Sequence, residues 1–364
     1  MKRRGDPIVL AVLLGVLVLW YGALGLWGSG DPASQAKDLR AAQTMSRALG
    51  VLKEEAARRG IPLDPVVDPG LTGLVGPAFS PMTTTLGSLS AKRTGLQPDA
   101  AAMMSSLLRR AGLQVGGRVA VDTSGSFPGF AIATLIAAET LGAETACIVS
   151  LGSSTYGANH PEFTLADMIG VLVQRGILRR GLIAVSPGGD DDLGRNMGGA
   201  ELERALARPA VPILREGDLK RNLAARRVLL FQDPQPGVVV SVGGNLTSTG
   251  LGETIGLRTG LIRRTDFPGG VVPGEGLIQG SLRENLPVIR VLDVRGLCAL
   301  TGLPFDPLPV PGPGQSAFFL RGAPPPVLLL GGAVLAVLLA TLAAWLRRPR
   351  TRVPARSPAS VRLS

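Results

Sequence analysis

One stretch constrains the fold more than any other, residues 119–143, which read VAVDTSGSFPGFAIATLIAAETLGA. An apolar run at 119–121 stops at Asp122, a loop of small residues follows, and an Ala-, Leu- and Ile-rich segment at helical spacing runs to Gly142. This order predicts a strand, a tight loop and a helix, the first half of a β-α-β unit. Free backbone N–H groups and the helix dipole at such a junction favour an anion.

Comparable apolar runs recur along the chain and alternate with helical patterns. Strands are predicted at 119–121, 145–151, 181–186, 227–231 and 237–242, and helices at 98–112, 165–174 and 201–207. A short strand or helix is expected within 286–300. Strands alternating with helices indicate an α/β domain with a mostly parallel sheet and Rossmann-like β-α-β units.

Two long apolar segments lie near the ends of the chain, at 8–27 and 327–346. Each is long enough to cross a bilayer. Neither has a polar face and both have basic residues at one end, which favours flanking transmembrane helices over buried core helices. The first segment is alternatively a cleaved signal peptide. Its length, and Trp20, Tyr21 and Trp27 near its far end, favour an uncleaved anchor.

Basic residues outside these segments indicate their orientation. The tails 1–7 and 347–364 carry nine Lys and Arg residues and one acidic residue, so most of the formal net charge of +11 belongs to them. By the positive-inside tendency both termini are cytoplasmic, which predicts a two-pass protein of the cell (inner) membrane with an extracytoplasmic central domain. The basic character therefore indicates membrane topology and not nucleic-acid binding.

The remaining sequence is divided by composition. The division is a cytoplasmic tail at 1–7, a span at 8–27, a juxtamembrane helix and extended segment at 28–96, the α/β domain at 97–255, an irregular part with a Pro/Gly-rich linker at 256–323, a span at 327–346 and a basic cytoplasmic tail at 347–364. Asp31-Pro32 predicts the start of the juxtamembrane helix and Gly60 its end. Cys147 and Cys298 lie in apolar runs and are predicted to be buried thiols rather than a disulfide.

Four predicted strands end in loops of small residues, TSGS at 123–126, GSSTYGAN at 152–159, SPGGDDD at 186–192 and GGNLTSTG at 243–250. Carboxyl ends of parallel strands share one edge of a sheet, so these loops are expected to form one pocket; ordinary connecting loops are the alternative. Lys92-Arg93, near three threonines, would suit a carboxylate-rich ligand. The candidate ligand-binding residues are Thr84, Ser88, Lys92, Arg93, Ser124, Gly125, Ser126, Ser153, Asn159, Asp190 and Asp191.

No catalytic motif accompanies these loops. TSGS lacks the glycine spacing of dinucleotide sites and the GK[ST] of a P-loop, and neither Ser124 nor Ser126 lies in a G-x-S-x-G elbow. His160 is the only histidine, so any Ser-His-Asp triad would need it. The run Asp190, Asp191 and Asp192 is a candidate Mg²⁺ or Ca²⁺ site, or a solvated or helix-capping run. The sequence assigns no catalytic residue and favours a non-enzymatic role.

These same segments resemble the poly-gamma-glutamate system protein family, an accessory membrane protein encoded with poly-γ-glutamate synthase components in some bacteria. The runs TTTLGSL, SGSFP and GGDDD occur in this order, and the resemblance covers roughly 35–300 and is densest over 80–198. It implies a role in synthesis, export or handling of an anionic γ-linked glutamate polymer at the cell envelope. The implied partners are the membrane, synthase subunits and the polymer, and no defined reaction is implied.

Two other functions stay open on the sequence. One is an envelope hydrolase or transferase that acts on γ-glutamyl or cell-wall peptide bonds, with Ser124 or Ser126 as nucleophile or a metal at the Asp run. The other is a tethered solute-binding or scaffold domain.

Overall fold

The computed structural model describes residues 31–250, 258–319 and 326–347, together with 11, 14–20 and 22. The chain forms two units. One is Asp31–Arg321, and the other combines Met1–Gly30 with Gly322–Ser364. The sequence divides 28–323 into three parts, whereas the structure places nearly all of it in the first unit.

A six-stranded sheet forms the centre of the first unit. In spatial order its strands are β7 (Ala184–Ser186), β3 (Glu144–Ser150), β2 (Arg118–Ser124), β8 (Val238–Val242), β10 (Val288–Val291) and β9 (Gly260–Ile262). The first five are parallel, and β9 runs antiparallel to β10. The predicted mixed α/β fold with a mostly parallel sheet is confirmed.

Four short strands lie outside this sheet. They are β1 (Thr83–Thr85), which pairs in parallel with β4 (Ser153–Ser154), and β5 (Asn159–His160), which pairs antiparallel with β6 (Phe163–Thr164). The β1–β4 pair brings the threonines of 83–85 beside the loop after β3.

Helices of the first unit cover both faces of the sheet. They are α1 (Pro32–Arg58), α2 (Leu89–Thr94), α3 (Asp99–Arg110), α4 (Pro128–Thr140), α5 (Leu165–Gln174), α6 (Gly199–Ala207), α7 (Leu219–Leu230), α8 (Leu246–Thr249), α9 (Leu277–Arg283) and α10 (Val294–Thr301). The second unit contains α11 (Pro326–Arg347). Val119 and Val121 pack on one face with α1, α3, α4 and α5, and Ala120 and Ile148 pack on the other with α7 and α9. Burial on both faces explains why the strands are continuous apolar runs.

The helix α1 is part of this core. Asp31 accepts the N–H groups of Ala33 and Ser34, and the helix ends at Arg58, so its predicted start and end are confirmed. Met45 is fully buried, and α1 packs against α3, α4 and α5. Its Ala-rich face lets it approach α3 closely, and the sequence pattern alone did not show this partner.

The prediction of a strand at 227–231 is wrong, because these residues belong to α7 and its C-terminal end. Asp218 accepts the N–H of Arg221 and starts the helix, and Leu219 and Leu230 are buried. A short apolar run does not by itself distinguish a strand from a buried part of a helix.

The segment 256–323 is also more regular than predicted. It supplies β9 and β10 to the sheet and forms α9 and α10. Residues 309–315 belong to the Pro/Gly-rich part of the predicted 256–323 segment and pack on the domain. There Gly314 and Ser316 donate their N–H groups to the two oxygens of Asp99. Asp99 thus anchors the end of this segment.

Both cysteines are free and buried, as predicted. In the second unit, residues 14–20 and α11 are helical. Among the described residues, no helix combines the length and the apolar character that a membrane crossing requires. The segments 8–27 and 327–346 include residues or side chains that lie outside the described ones, so their topology and the membrane localisation stay predictions.

Candidate functional site

The sheet has a topological switch point between β2 and β8. The chain leaves β2 toward β3 and β7 on one side and returns to place β8 on the other side. Loops at the carboxyl ends diverge at such a point and leave a crevice that commonly binds ligands. A cleft of about 540 Å³ lies here. We call it the switch-point cleft.

All four strand-end loops reach the switch-point cleft. They contribute Ser124 and Ser126, then Gly152 and Ser154, then Gly188, Gly189 and Asp190, and finally Gly244, Asn245 and Leu246. A further wall comes from the segment 84–88 and from Ala91 and Lys92 of α2. The loops therefore converge on one space, as the sequence predicts.

Six of the eleven candidate residues line the switch-point cleft: Thr84, Ser88, Lys92, Ser124, Ser126 and Asp190. The other five, Arg93, Gly125, Ser153, Asn159 and Asp191, do not line it. Three of these five maintain the shape of the site. The N–H of Gly125 lies 3.1 Å from the carbonyl oxygens of both Ser150 and Gly152, Ser153 Oγ donates to the Ser154 carbonyl, and Asn159 Nδ2 donates to Pro77 O and Thr83 Oγ1, both at 2.9 Å.

Arg93 has a structural partner instead of a ligand. Its guanidinium binds the carboxylate of Asp306 through two hydrogen bonds of 2.7 and 2.5 Å. The hydrogen bond from Arg93 holds the pKa of Asp306 below its usual value. Two adjacent basic residues on α2 thus differ, because Arg93 fastens the segment around 306 to the helix and Lys92 faces the cleft.

Lys92 is buried beside the cleft without an acidic partner. Its side chain is 3 % exposed. Nζ donates to the carbonyl oxygen of Ser126 and to Ser154 Oγ, the latter at 2.5 Å, and lies 3.9 Å from the centre of the Phe127 ring. Burial lowers the pKa of Lys92 to about 7, and no carboxylate of the described residues counteracts this shift. Lys92 is therefore partly protonated near neutral pH.

The three carboxylates of the Asp run point to different partners. Asp190 lines the cleft, Asp191 forms an exposed ion pair with Arg195 at 2.6 Å, and Asp192 is buried against Arg226 at 2.7 Å. Positive φ angles at Asp191 and Asp192 turn consecutive side chains apart. Within the ranges that the structure describes, no group of three His, Cys, Asp or Glu side chains forms a donor set for a metal ion. The Asp run does not provide the cluster that Mg²⁺ or Ca²⁺ requires.

A buried charge cluster that the sequence did not predict lies behind the lining residues Ser150 and Asn245, and we call it the floor of the site. Arg226 is 0 % exposed and binds Asp122 through Nη1 and Asp192 through Nη2. Nη2 also donates to Ser186 Oγ at 2.7 Å. Burial opposes the charge of Arg226, but the two carboxylates outweigh burial and raise the pKa of this side chain further.

Strand alternation explains where this cluster forms. Asp122 and the hydroxyls of Ser150 and Ser186 follow apolar residues on the same face of three neighbouring strands, and α7 covers that face. The second oxygen of Asp122 accepts hydrogen bonds from Asn245 at 3.1 Å and from Ser248. The cluster thus ties the loop after β8 to β2. Polar residues at the ends of successive apolar runs were the available sequence signal.

His160 lies on β5 and lines a separate, mostly apolar cavity with Phe163 and Met168. Its Nδ1 accepts the N–H of Glu162 at 3.2 Å, and burial lowers its pKa. Because His160 does not line the switch-point cleft, the structure does not assemble a Ser-His-Asp triad with Ser124 or Ser126.

Comparison with protein-family models, with curated proteins and with solved structures gives no match for this chain.

Proposed function

We propose that the protein binds γ-linked glutamate chains in the switch-point cleft and acts as a membrane-anchored accessory protein in synthesis, export or handling of this anionic polymer. The family resemblance supports the pathway. The observation that carries the ligand class is Lys92, a buried cationic side chain that faces the cleft with hydroxyl and carbonyl partners and no carboxylate.

A carboxylate of the ligand supplies the negatively charged partner that Lys92 lacks in the free protein. A negative group within a few ångströms stabilises the ammonium form and raises the pKa of the lysine. Binding near neutral pH is then accompanied by proton uptake at Lys92. Affinity is expected to fall as the pH rises above about 7, where the free protein has lost this proton.

A second feature of the cleft suits the amide groups of such a chain. Asn245 Nδ2 donates to Asp122 and to Thr247, which fixes the orientation of the side-chain amide. Its Oδ1 is buried and accepts no hydrogen bond from the described residues. It is therefore available to a ligand N–H, and a buried acceptor gains from such a partner.

The cleft also contains charges other than that of Lys92. Asp190 and Asp293 also line the space and would repel a carboxylate. Arg295 lines it as well and stacks on Phe305, with its guanidinium carbon 4.1 Å from the ring centre. The volume of about 540 Å³ accommodates a short oligomer segment rather than a whole polymer.

The test measures binding of fluorescently labelled γ-linked glutamate oligomers to the full-length protein in detergent. Lys92→Met is expected to weaken binding about tenfold or more, which corresponds to about 1.4 kcal/mol. The matched control is Lys220→Met, which removes an exposed lysine of α7. Unchanged affinity in Lys92→Met would contradict the proposed binding site. In cells, removal of the gene is expected to lower or mislocalise the surface polymer, and an unchanged polymer would contradict the pathway role.

A further inference from the structure

Ser154 and Lys92 lie in contact at the switch-point cleft, and we propose that they are the nucleophile and the general base of an acyl-transfer site for γ-glutamyl amides. Ser154 Oγ is 2.5 Å from Lys92 Nζ, and both residues line the cleft. The substrate class rests on the proposed function, whereas the nucleophile rests on this geometry alone.

Three segments of the chain hold the pair in place. Lys92 belongs to α2, Ser154 belongs to β4, and Ser126 belongs to the loop after β2. The carbonyl oxygen of Ser126 accepts a hydrogen bond from Lys92 Nζ, and Ser126 Oγ accepts the N–H of Ser154 at 3.1 Å. A catalytic pair needs such support, because reactive groups must stay in position during the reaction.

Lys92 has the environment of a lysine that acts as a general base. A lysine serves as a general base only in its neutral form, and burial without an acid is the usual means to favour that form. The pKa of Lys92 is lowered to about 7 by burial. A carboxylate partner, such as Arg226 has, would have kept the side chain protonated. Serine with lysine as its base is a known variant of the catalytic triad.

The chain leaves space for the serine hydroxyl. A Cβ atom at position 87 would lie 2.7 Å from Ser154 Oγ, so only glycine fits beside it. The N–H of Gly87 donates to Thr155 Oγ1 at 2.7 Å, which fixes this close approach. Ser126 Oγ donates to no acceptor among the described residues, so its hydroxyl proton is available to a developing oxyanion.

The reaction proceeds in two steps. In the first, Ser154 Oγ attacks the carbonyl carbon of the amide and its proton moves to Lys92 Nζ. The C–N bond then breaks, the leaving amine takes the proton from Lys92, and an ester forms on Ser154. In the second step, Lys92 accepts a proton from water as the water oxygen attacks the ester, and the proton returns to Ser154 Oγ as a carboxylic acid leaves. An amine in place of water gives transfer instead of hydrolysis.

The test treats the full-length protein with a fluorophosphonate probe, locates the modified residue by mass spectrometry, and measures new amino termini released from γ-linked glutamate oligomers. We expect labelling of Ser154 to increase as the pH rises through about 7. Cleavage should increase over a higher pH range, because the carboxylate of the bound oligomer raises the pKa of Lys92. Ser154→Ala should abolish both and retain oligomer binding. Ser106→Ala, which lies on α3 and does not line the cleft, is the control and should leave both unchanged.

Lys92→Arg separates this inference from the proposed function. Arginine retains the positive charge but is not deprotonated in proteins, so oligomer binding should persist while labelling and cleavage fall at least a hundredfold. Oligomer binding without labelling of Ser154 at any pH from about 6 to 9 overturns the catalytic pair and leaves the binding function standing. Labelling of Ser154 without oligomer binding overturns the substrate class. If neither is observed, both proposals fail.

Discussion

Arg226 in the floor of the switch-point cleft and Lys92 in its wall are both buried cations, yet their surroundings differ. Two carboxylates and two serine hydroxyls surround Arg226, which is 0 % exposed. Lys92 is 3 % exposed and has a serine hydroxyl, a carbonyl oxygen and an aromatic ring as neighbours. Buried charge normally requires a partner of opposite sign. The unpaired Lys92 therefore indicates where a ligand is expected to bind. The paired Arg226 indicates which interactions stabilise the site.

The largest effect is expected where the paired charge is broken. Arg226→Met leaves Asp122 and Asp192 buried without their partner and should lower the free energy of unfolding by about 3–5 kcal/mol. Urea unfolding followed by circular dichroism measures this change. The control is Arg215→Met, which removes an exposed pair with Glu203 and should change stability by less than about 1 kcal/mol. Equal effects in both variants would remove the distinction between floor and surface.

The burial of Lys92 without an acidic partner should make the free energy of unfolding depend on pH. The pKa of Lys92 is about 7 in the folded protein and near its ordinary value of 10.5 in the unfolded chain. Between these values the unfolded chain binds more protons, so rising pH stabilises the fold by at most about 1.4 kcal/mol per pH unit. Below pH 7 both states are protonated, the cost of burial is fully present, and Lys92→Met should be more stable than the wild type.

The measurement for Lys92 is urea unfolding of wild type and Lys92→Met at about pH 6, 7.5 and 9. The stability of the wild type relative to the variant should increase with pH across the window from about 7 to 10.5. A difference that stays constant with pH would show that Lys92 is not held in its neutral form by burial.

The neighbouring residues Lys92 and Arg93 sharpen the comparison on a single helix. Arg93→Gln leaves the carboxylate of Asp306, which is 15 % exposed, without its two hydrogen bonds. It should lower the free energy of unfolding by about 1–3 kcal/mol and retain binding of γ-linked glutamate oligomers. Lys92→Met should weaken oligomer binding without this loss of stability. Thermal unfolding and fluorescence anisotropy on both variants measure these effects. Loss of binding in Arg93→Gln would show that Arg93 is part of the ligand site.

The smallest effect is expected at the outer part of the Asp run. Asp191→Asn removes an exposed ion pair with Arg195, and asparagine tolerates the positive φ of 55° at this position. Stability should change by less than about 0.5 kcal/mol. Asp192→Asn, which weakens the partner of Arg226, should be several times more destabilising in the same urea titration. Similar values for the two would mean that the run acts as one acidic surface.

The sequence predicted those parts of the fold that depend on local patterns. Continuous apolar runs predicted β3 and β8 within one residue. The start and end signals of α1 matched that helix, and the helical pattern at 165–174 matched α5. The convergence of the four loops followed from the general property of parallel sheets. Partners far apart in the chain left no such pattern. This is why the sequence places β9 in an irregular segment and predicts β10 only as a short strand or helix within 286–300.

The site was predicted in part for the same reason. Small residues after strands indicated Ser124, Ser126 and Asp190, which line the cleft. Arg226 was missed because its helix ends in an apolar run that resembled a strand. The sequence indicates Ser153 where the structure places Ser154 in the cleft, because composition does not tell which of two adjacent serines faces it. The pairing of β4 with β1 decides this. Arg93 and Lys92 were equivalent in sequence, and only Asp306 distinguishes them.

The contacts of Asp99 and its neighbours have a consequence for the biosynthesis of the protein. Gln97 donates to the carbonyl oxygen of Pro304, Arg93 binds Asp306, and Asp99 accepts from Ser316, across separations of 207, 213 and 217 residues. The ribosome therefore synthesises almost the whole domain before these contacts, which hold the wall containing Lys92, can form. Such long-range closure is a late event in folding. A nascent chain consequently lacks a completed cleft. It becomes able to bind a ligand there only when the final part of the domain has been synthesised.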